Sequence, residues 1–307
     1  MRFNISTNLN NGAGLQRDYE LLQRMLEAAG HSVHGIMFNT YGVTPPTADV
    51  TIFIEVINPQ HISKGSQVWF IPNSEWFFPA WNGTLQYVHK VLCKTHDCYR
   101  IWSKKVGAEK CLYTGWEALD LYDPDAGRFS TFLHLAGKSF TKNTQAVVAA
   151  WRDYNLPYQL TIASCYPLVN QYCKNVPNTR WVERFSETEL MKAMNENIFH
   201  IMPSEYEGYG FAIHEALGCG GIVLTVDAPP MNESAGIPCD LRIPVDKVGR
   251  RLEAPSYSVK PLAIADCVHR AATRDPETMI SLHNGARESF LADREDFRNR
   301  FRELIHA

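Results

Sequence analysis

The chain has 307 residues, 45% hydrophobic and 21% charged, with a formal net charge of −3. That composition is globular and long enough for two domains, and it leaves no basic field to make nucleic acid or an acidic membrane an obligatory partner. The opening MRFNISTNLNN has no apolar signal core, and no apolar run approaches the roughly 20 residues of a membrane span, so a cytoplasmic protein is expected. Cysteines at 93, 98, 111, 165, 173, 219, 239 and 267 form no C-x-x-C pair and have no histidine at zinc-finger spacing. They read as reduced thiols filling the core, with no metal site.

RFNIS is a strand, and NLNNGAG is a loop of residues that tolerate unusual backbone angles. A helix follows, with Leu21, Leu22, Met25 and Leu26 on its apolar face and Gly30 at its end. HSVHGIMF, DVTIFIEVI, QVWFIP, VLCKTHDCYRIW and KCLYTGW then read as strand-like runs, an arrangement that predicts a mainly parallel sheet with crossovers. LDLYDPDAGRFS suits an interdomain linker. A second series begins there: TFLHLAG as strand, TKNTQAVVAAWRDY as helix with Val147, Val148 and Trp151 on one face, and YQLTIAS as strand. NIFHIMPS, GFAIHEALGCG and GIVLTV continue it as strand, helix and strand, and an amphipathic tail carries Phe297, Phe301 and Leu304. The expected fold class is α/β, two Rossmann-like domains facing across a cleft. The boundaries are residues 1–127, residues 128–285, and a C-terminal helix over 286–307 that crosses back toward the first domain.

The most informative segment is Pro203-Ser204-Glu205-Tyr206-Glu207-Gly208-Tyr209-Gly210-Phe211-Ala212-Ile213-His214-Glu215-Ala216. A strand ends near Ile201, a glycine turn exposes backbone N–H groups, and a helix begins near Gly210, which together make an anion site suited to a diphosphate. Glu207 precedes that helix and Glu215 lies within it, so both carboxylates can accept hydrogen bonds from sugar and ribose hydroxyls. Upstream, Lys138 and Lys142 stand at a strand exit just before a helix, where ammonium groups can neutralise a leaving diphosphate without a metal.

In these residues the sequence resembles the family 4 retaining glycosyltransferases of the GT-B fold, whose hallmark is two glutamates separated by seven residues in P-S-x-x-E-G-F-G-x-x-x-x-E-A. Tyr209 stands where phenylalanine is usual. The resemblance implies that Glu207 contacts the donor sugar, that the backbone of Gly208, Tyr209, Gly210 and Phe211 meets sugar and phosphate, and that Glu215 holds the nucleotide ribose. The family usually has Gly-Arg at the strand exit, with a lysine about five positions on and a glycine after it. This chain has Lys138 and Lys142, one residue closer, and Asn143 in place of that glycine. Arg184 or Phe185 lies where the family places its base-binding loop. The matching segments cover most of residues 129–240, and the first half matches in outline only.

By the same resemblance the first domain binds the acceptor. The turn at Gly12 and Gly14 either brings backbone to the donor phosphates or serves helix entry alone. Many relatives carry a histidine after the fourth strand. Glu75 or Asn73 stands there in this chain, with His96 as the alternative, and the aromatic loop from Trp76 to Trp81 either stacks on an acceptor or packs in the core. The expected activity is retaining, metal-independent hexosyl transfer from a nucleoside-diphosphate sugar, a UDP-sugar by default, with no further cofactor. The acceptor is left open among glycan, lipid-linked sugar, metabolite, protein and modified nucleic-acid base. A noncatalytic nucleotide-sugar-binding or scaffold protein of the same fold is the alternative.

Overall fold

The computed structural model describes residues 1–306. Two compact units form: unit 1 comprises residues 1–117 with 250–255, and unit 2 comprises residues 118–249 with 256 onward.

Unit 1 opens with β1 (Arg2–Thr7), α1 (Gly14–Ala28) and β2 (Ser32–Met37). It continues with β3 (Val50–Ile54), β4 (Gln67–Ile71), β5 (Lys90–Cys93), α2 (His96–Val106) and β6 (Cys111–Tyr113). The six strands run parallel in the order β2-β1-β3-β4-β5-β6. VTIFI of β3 and VWFI of β4 are buried at every position, as expected for central strands covered on both faces. The run VLCKTHDCYRIW divides into strand and helix. Thr95 breaks it, its hydroxyl capping α2 by accepting from the Cys98 N–H at 3.0 Å, and a local cap of this kind overrides the β-propensity of Tyr99, Ile101 and Trp102.

The aromatic loop after β4 divides as well. Phe77 is fully buried against Phe70 and Trp102 at ring distances of 6.0 and 4.9 Å, which settles that side chain as core. Phe78 stays exposed, and Trp76 lies under the Arg251 guanidinium at 4.8 Å. Glu253 joins the same unit through Lys105 at 2.9 Å and through its N–H to the Ser74 carbonyl at 3.1 Å.

Unit 2 contains β7 (Phe129–Gly137), α3 (Thr144–Asp153), β8 (Leu160–Ser164), α4 (Pro167–Cys173) and β9 (Thr179–Val182). After these come α5 (Glu187–Glu196), β10 (Asn197–Met202), α6 (Phe211–Gly218) and β11 (Ile222–Thr225). A two-stranded ribbon, β12 (Lys247–Arg251) and β13 (Ala254–Ser258), whose residues 250–255 count with unit 1, precedes α7 (Pro261–Ala272) and α8 (Pro276–His306). The five-stranded sheet is parallel in the order β11-β10-β7-β8-β9. Val147, Val148 and Trp151 of α3 are all buried, as the helical spacing predicts. Along α8 the buried line is Phe297, Phe301 and Ile305, a step of four residues, with Leu304 only partly covered.

Residues 118–127, expected to end the first domain, fold with unit 2. The Asp120 carboxylate receives Arg287 at 2.6 Å and Arg294 at 3.1 Å, and Asn195 bonds the backbone of both Leu121 and Asp123. The final helix starts at Pro276, earlier than residue 286, and packs on α6 where the Phe290 ring lies over Gly218. A Cβ at position 218 would lie 3.2 Å from three atoms of that ring. Gly218→Ala is therefore expected to cost a net ~1 kcal/mol, overpacking outweighing the gain in helix propensity. Urea melts of the two proteins measure it.

Candidate functional site

In an open parallel sheet, ligands bind beyond the carboxyl ends of the strands where the strand order reverses. In unit 2 the chain passes from β7 outward through β8 and β9, then returns to the other side of β7 as β10, so that point lies between β7 and β10. The loop after β7 (138–143) and the loop after β10 (203–210) both leave the sheet there.

Two left-handed residues shape these loops. Gly210 has φ +89° and begins α6 without a side-chain cap. The first-turn N–H groups of α6 therefore depend on backbone, solvent or ligand for partners. Asn143 has φ +48° and begins α3, so the residue standing where the resembled family has glycine occupies the backbone region that favours glycine. Asparagine is among the few other residues that enter it readily. Its amide Nδ2 also donates to the carbonyls of Pro203 at 2.8 Å and Tyr257 at 3.1 Å, binding one loop to the other.

The join brings Lys142 to Glu207. Their ammonium and carboxylate form an ion pair, and Ser204 completes a triangle: its hydroxyl donates to Glu207 Oε1 at 2.6 Å, and Lys142 Nζ donates to Ser204 Oγ at 3.2 Å. The Lys142 and Glu207 side chains are about 16% and 15% exposed, so both charges are mostly withdrawn from water yet reachable. Beneath them, His134 of β7 is fully buried. Its Nδ1 lies 2.7 Å from the Ile201 carbonyl, and its Nε2 lies 2.9 Å from the Thr144 hydroxyl. Burial first, and the positive charge of Lys142 in addition, push the imidazole down to about 4, against the pull of the Ile201 carbonyl. The ring is neutral at pH 7, so Nδ1–H donates to the carbonyl and Nε2 accepts from Thr144.

Lys138 is exposed, and its ammonium has no acidic partner among the described residues. Its carbonyl accepts from the Tyr166 hydroxyl at 2.9 Å. Glu215 is buried within α6, at 2% exposure, while Gly208 lies in the turn before it. The Tyr209 ring is covered, stacked on His214 at 4.0 Å and meeting Phe211 edge-on at 5.3 Å. Burial holds His214 down at about 4, and its Nδ1–H donates to the Gly210 carbonyl at 3.1 Å, fixing the turn. Arg184 and Phe185 lie after β9 on the same carboxyl edge, with two strands between β9 and β10, and Ser186 caps α5 with a capping box.

In unit 1, Gly12 has φ +60° and its N–H donates to Gln16 Oε1 at 3.1 Å, while Gly14 is the first residue of α1. Glu75 is buried in a short turn after β4, and the His96 ring stacks on Tyr113 at 3.8 Å. Asn73 belongs to a buried polar chain with Glu55, Lys94 and Asp18. Among the described residues no group of three or more His, Cys, Asp or Glu is placed to hold a metal ion. Among the described residues no helix is long and apolar enough to cross a membrane. The sequence pattern carried no signal for the contacts of His134 and Ser204 with this junction, although Ser204 lies within the segment 203–216.

No sequence-family profile matches the chain, and no curated protein sequence matches it. Solved structures do, and the fold they share with it is GT-B. Sucrose-phosphate synthase from Thermosynechococcus elongatus superposes with a TM-score of 0.74 at 14% identity, over 100% of this chain and 98% of its own. A glycosyltransferase from Rickettsia africae gives a TM-score of 0.74 at 12% identity, over 99% and 97%. E. coli trehalose-6-phosphate synthase, bound with UDP-2-fluoro glucose, gives a TM-score of 0.68 at 10% identity, over 100% and 98%.

Two outcomes test this local architecture. Asn143→Gly and Asn143→Ala both lose the amide bridge, but only alanine bears the left-handed backbone penalty; urea unfolding should find the alanine protein less stable by about 1 kcal/mol. For His134 the folded pKa lies below the unfolded value of about 6.5, so only the unfolded chain binds its proton between the two. The resulting stability is fully present above about pH 6.5 and is lost as pH falls toward 4. Its contribution to the slope is roughly 1.4 kcal/mol per pH unit. Across that range the unfolding free energy of the parent should fall with pH more steeply than that of His134→Gln by about this slope, the two profiles running parallel above about pH 6.5.

Proposed function

We propose that the chain is a retaining glycosyltransferase that moves a hexosyl group from a nucleoside-diphosphate sugar, by default a UDP-sugar, to an acceptor hydroxyl. The observation that carries this reading is the meeting of Lys142, Glu207 and Ser204 at the strand-order reversal of unit 2, beside the uncapped start of α6. A cation and a helix N-terminus favour a diphosphate, while a partly screened carboxylate favours sugar hydroxyls. One junction offers both. The GT-B fold is in keeping with this, as are the UDP-2-fluoro glucose bound to one neighbour and the retention studied for trehalose-6-phosphate synthase in another.

In this reading Lys142 shifts from Glu207 toward the diphosphate as the donor enters, and the exposed ammonium of Lys138 adds a second positive charge. Both offset the negative charge that grows on the leaving diphosphate, a preorganised electrostatic effect that needs no metal. Glu207, freed in part from Lys142, holds donor-sugar hydroxyls, and Glu215 holds the ribose. Arg184 or Phe185 flanks the base. The Gly208 to Phe211 backbone contacts sugar and phosphate. Eight free cysteines suit a reducing, cytoplasmic setting.

Nucleoside-diphosphate release from a panel of nucleotide sugars, with and without mixed acceptors, tests the proposal. Lys142→Ala is expected to slow release by about 10²–10³, the usual consequence of deleting one transition-state donor. Glu207→Ala should raise the donor KM. Folded variants that consume donor as the parent does would sink the reading; donor bound by the parent without release under any acceptor would leave the noncatalytic binder.

A further inference from the structure

Unit 1 carries its own strand-order reversal, between β1 and β3, and so its own ligand edge beyond their carboxyl ends. A buried polar chain runs to that edge. Lys94, which follows β5 and is 4% exposed, donates from Nζ to Asp18 Oδ2 of α1 at 3.2 Å and to Asn73 Oδ1 after β4 at 2.8 Å. Asn73 Nδ2 in turn donates to Glu55 Oε2 at 2.9 Å. Side chains from three other segments thus lead to one carboxyl group, and that group sits immediately after β3.

Glu55 is held there against its backbone preference. Its φ is +71°, and the Val56 N–H donates to the Ile54 carbonyl at 2.9 Å, closing a three-residue turn around it. The Glu55 N–H still reaches the Ile71 carbonyl at 2.9 Å, so β3 and β4 remain paired up to this point. A turn of this hand is rare and strained, and strain of this kind collects at functional sites. A glycine would relieve it. The Glu55 side chain is only partly covered, and its Oε1 makes no hydrogen bond among the described residues. At the neighbouring strand end, the Thr7 hydroxyl is buried without a partner, a second uncompensated polar group at the same reversal.

The network holds two carboxyl groups for one ammonium. Burial raises both Asp18 and Glu55, with Lys94 pulling each the other way. Two carboxyl groups beside a single buried ammonium disfavour a further anion, and a carboxyl group with one open oxygen suits a hydroxyl donor. We infer that Glu55, aimed by the Asn73–Lys94–Asp18 chain, accepts a hydrogen bond from the acceptor hydroxyl, and that the acceptor is a neutral sugar. The inference rests on the proposed glycosyl transfer and adds to it a positioning carboxylate and an acceptor class.

The test uses the nucleotide sugar that the parent binds most tightly, with methyl α-glucoside, methyl β-galactoside, maltose and trehalose as acceptors. At least one is expected to accelerate nucleoside-diphosphate release by the parent. Glu55→Gln should raise the KM for that sugar about tenfold, the loss of one charged hydrogen bond, while leaving donor KM and acceptor-free donor hydrolysis unchanged. Glu55→Asp, which keeps the charge, should fall between the two, and melting temperatures confirm that both variants fold. An unchanged acceptor KM in the folded variants overturns the inference, as does a parent that binds nucleotide sugar but is accelerated by none of the four. A parent that binds no nucleotide sugar removes the proposed function first, and this inference with it.

Discussion

The contact on which the donor-side reading depends is the one between the Lys142 ammonium and the Glu207 carboxylate, closed into a triangle by Ser204. Neither loop would place its charge there alone. Each leaves the carboxyl end of one of two adjacent parallel strands, each turns through a left-handed residue, and the Asn143 amide holds one to the other through the Pro203 carbonyl. Two opposite charges so placed are only partly screened by water.

The support beneath this triangle is apolar and neutral. His134 is kept uncharged by burial and fixed in one tautomer by a carbonyl and a hydroxyl, so it bridges β7, β10 and α3 without competing for the carboxylate above it. A protonated imidazole there would add a second cation in the interior and weaken the site it supports. His214 and Tyr209 do comparable work at the start of α6, where a stacked pair holds the turn while the backbone stays available. In unit 1 the same logic is applied with charges: Lys94 and Asp18 are paired in the interior, and the pairing orients Asn73 and, through it, Glu55.

What the sequence determined by itself was whatever rests on local chemistry. Unbroken apolar runs such as VTIFI, the glycine turn before FAIHEALG, and the Glu207 to Glu215 spacing fix strands, a helix start and two carboxylates along one short segment, since neighbours in the chain stay neighbours in space. Hence the α/β class, the two-sheet plan, and the motif around residue 208 were legible. Only tertiary structure decided which distant residues share an edge. Lys142 meets Glu207, and Lys94 meets Asp18, because strand order folds residues far apart in the chain to a common point; Thr95 divides a strand-like run because its hydroxyl caps a helix; and residues 118–127 join unit 2 because Asp120 finds Arg287 and Arg294. No period or composition carries those pairings, because they depend on sheet order and on the burial that makes an unpaired charge too costly to leave alone.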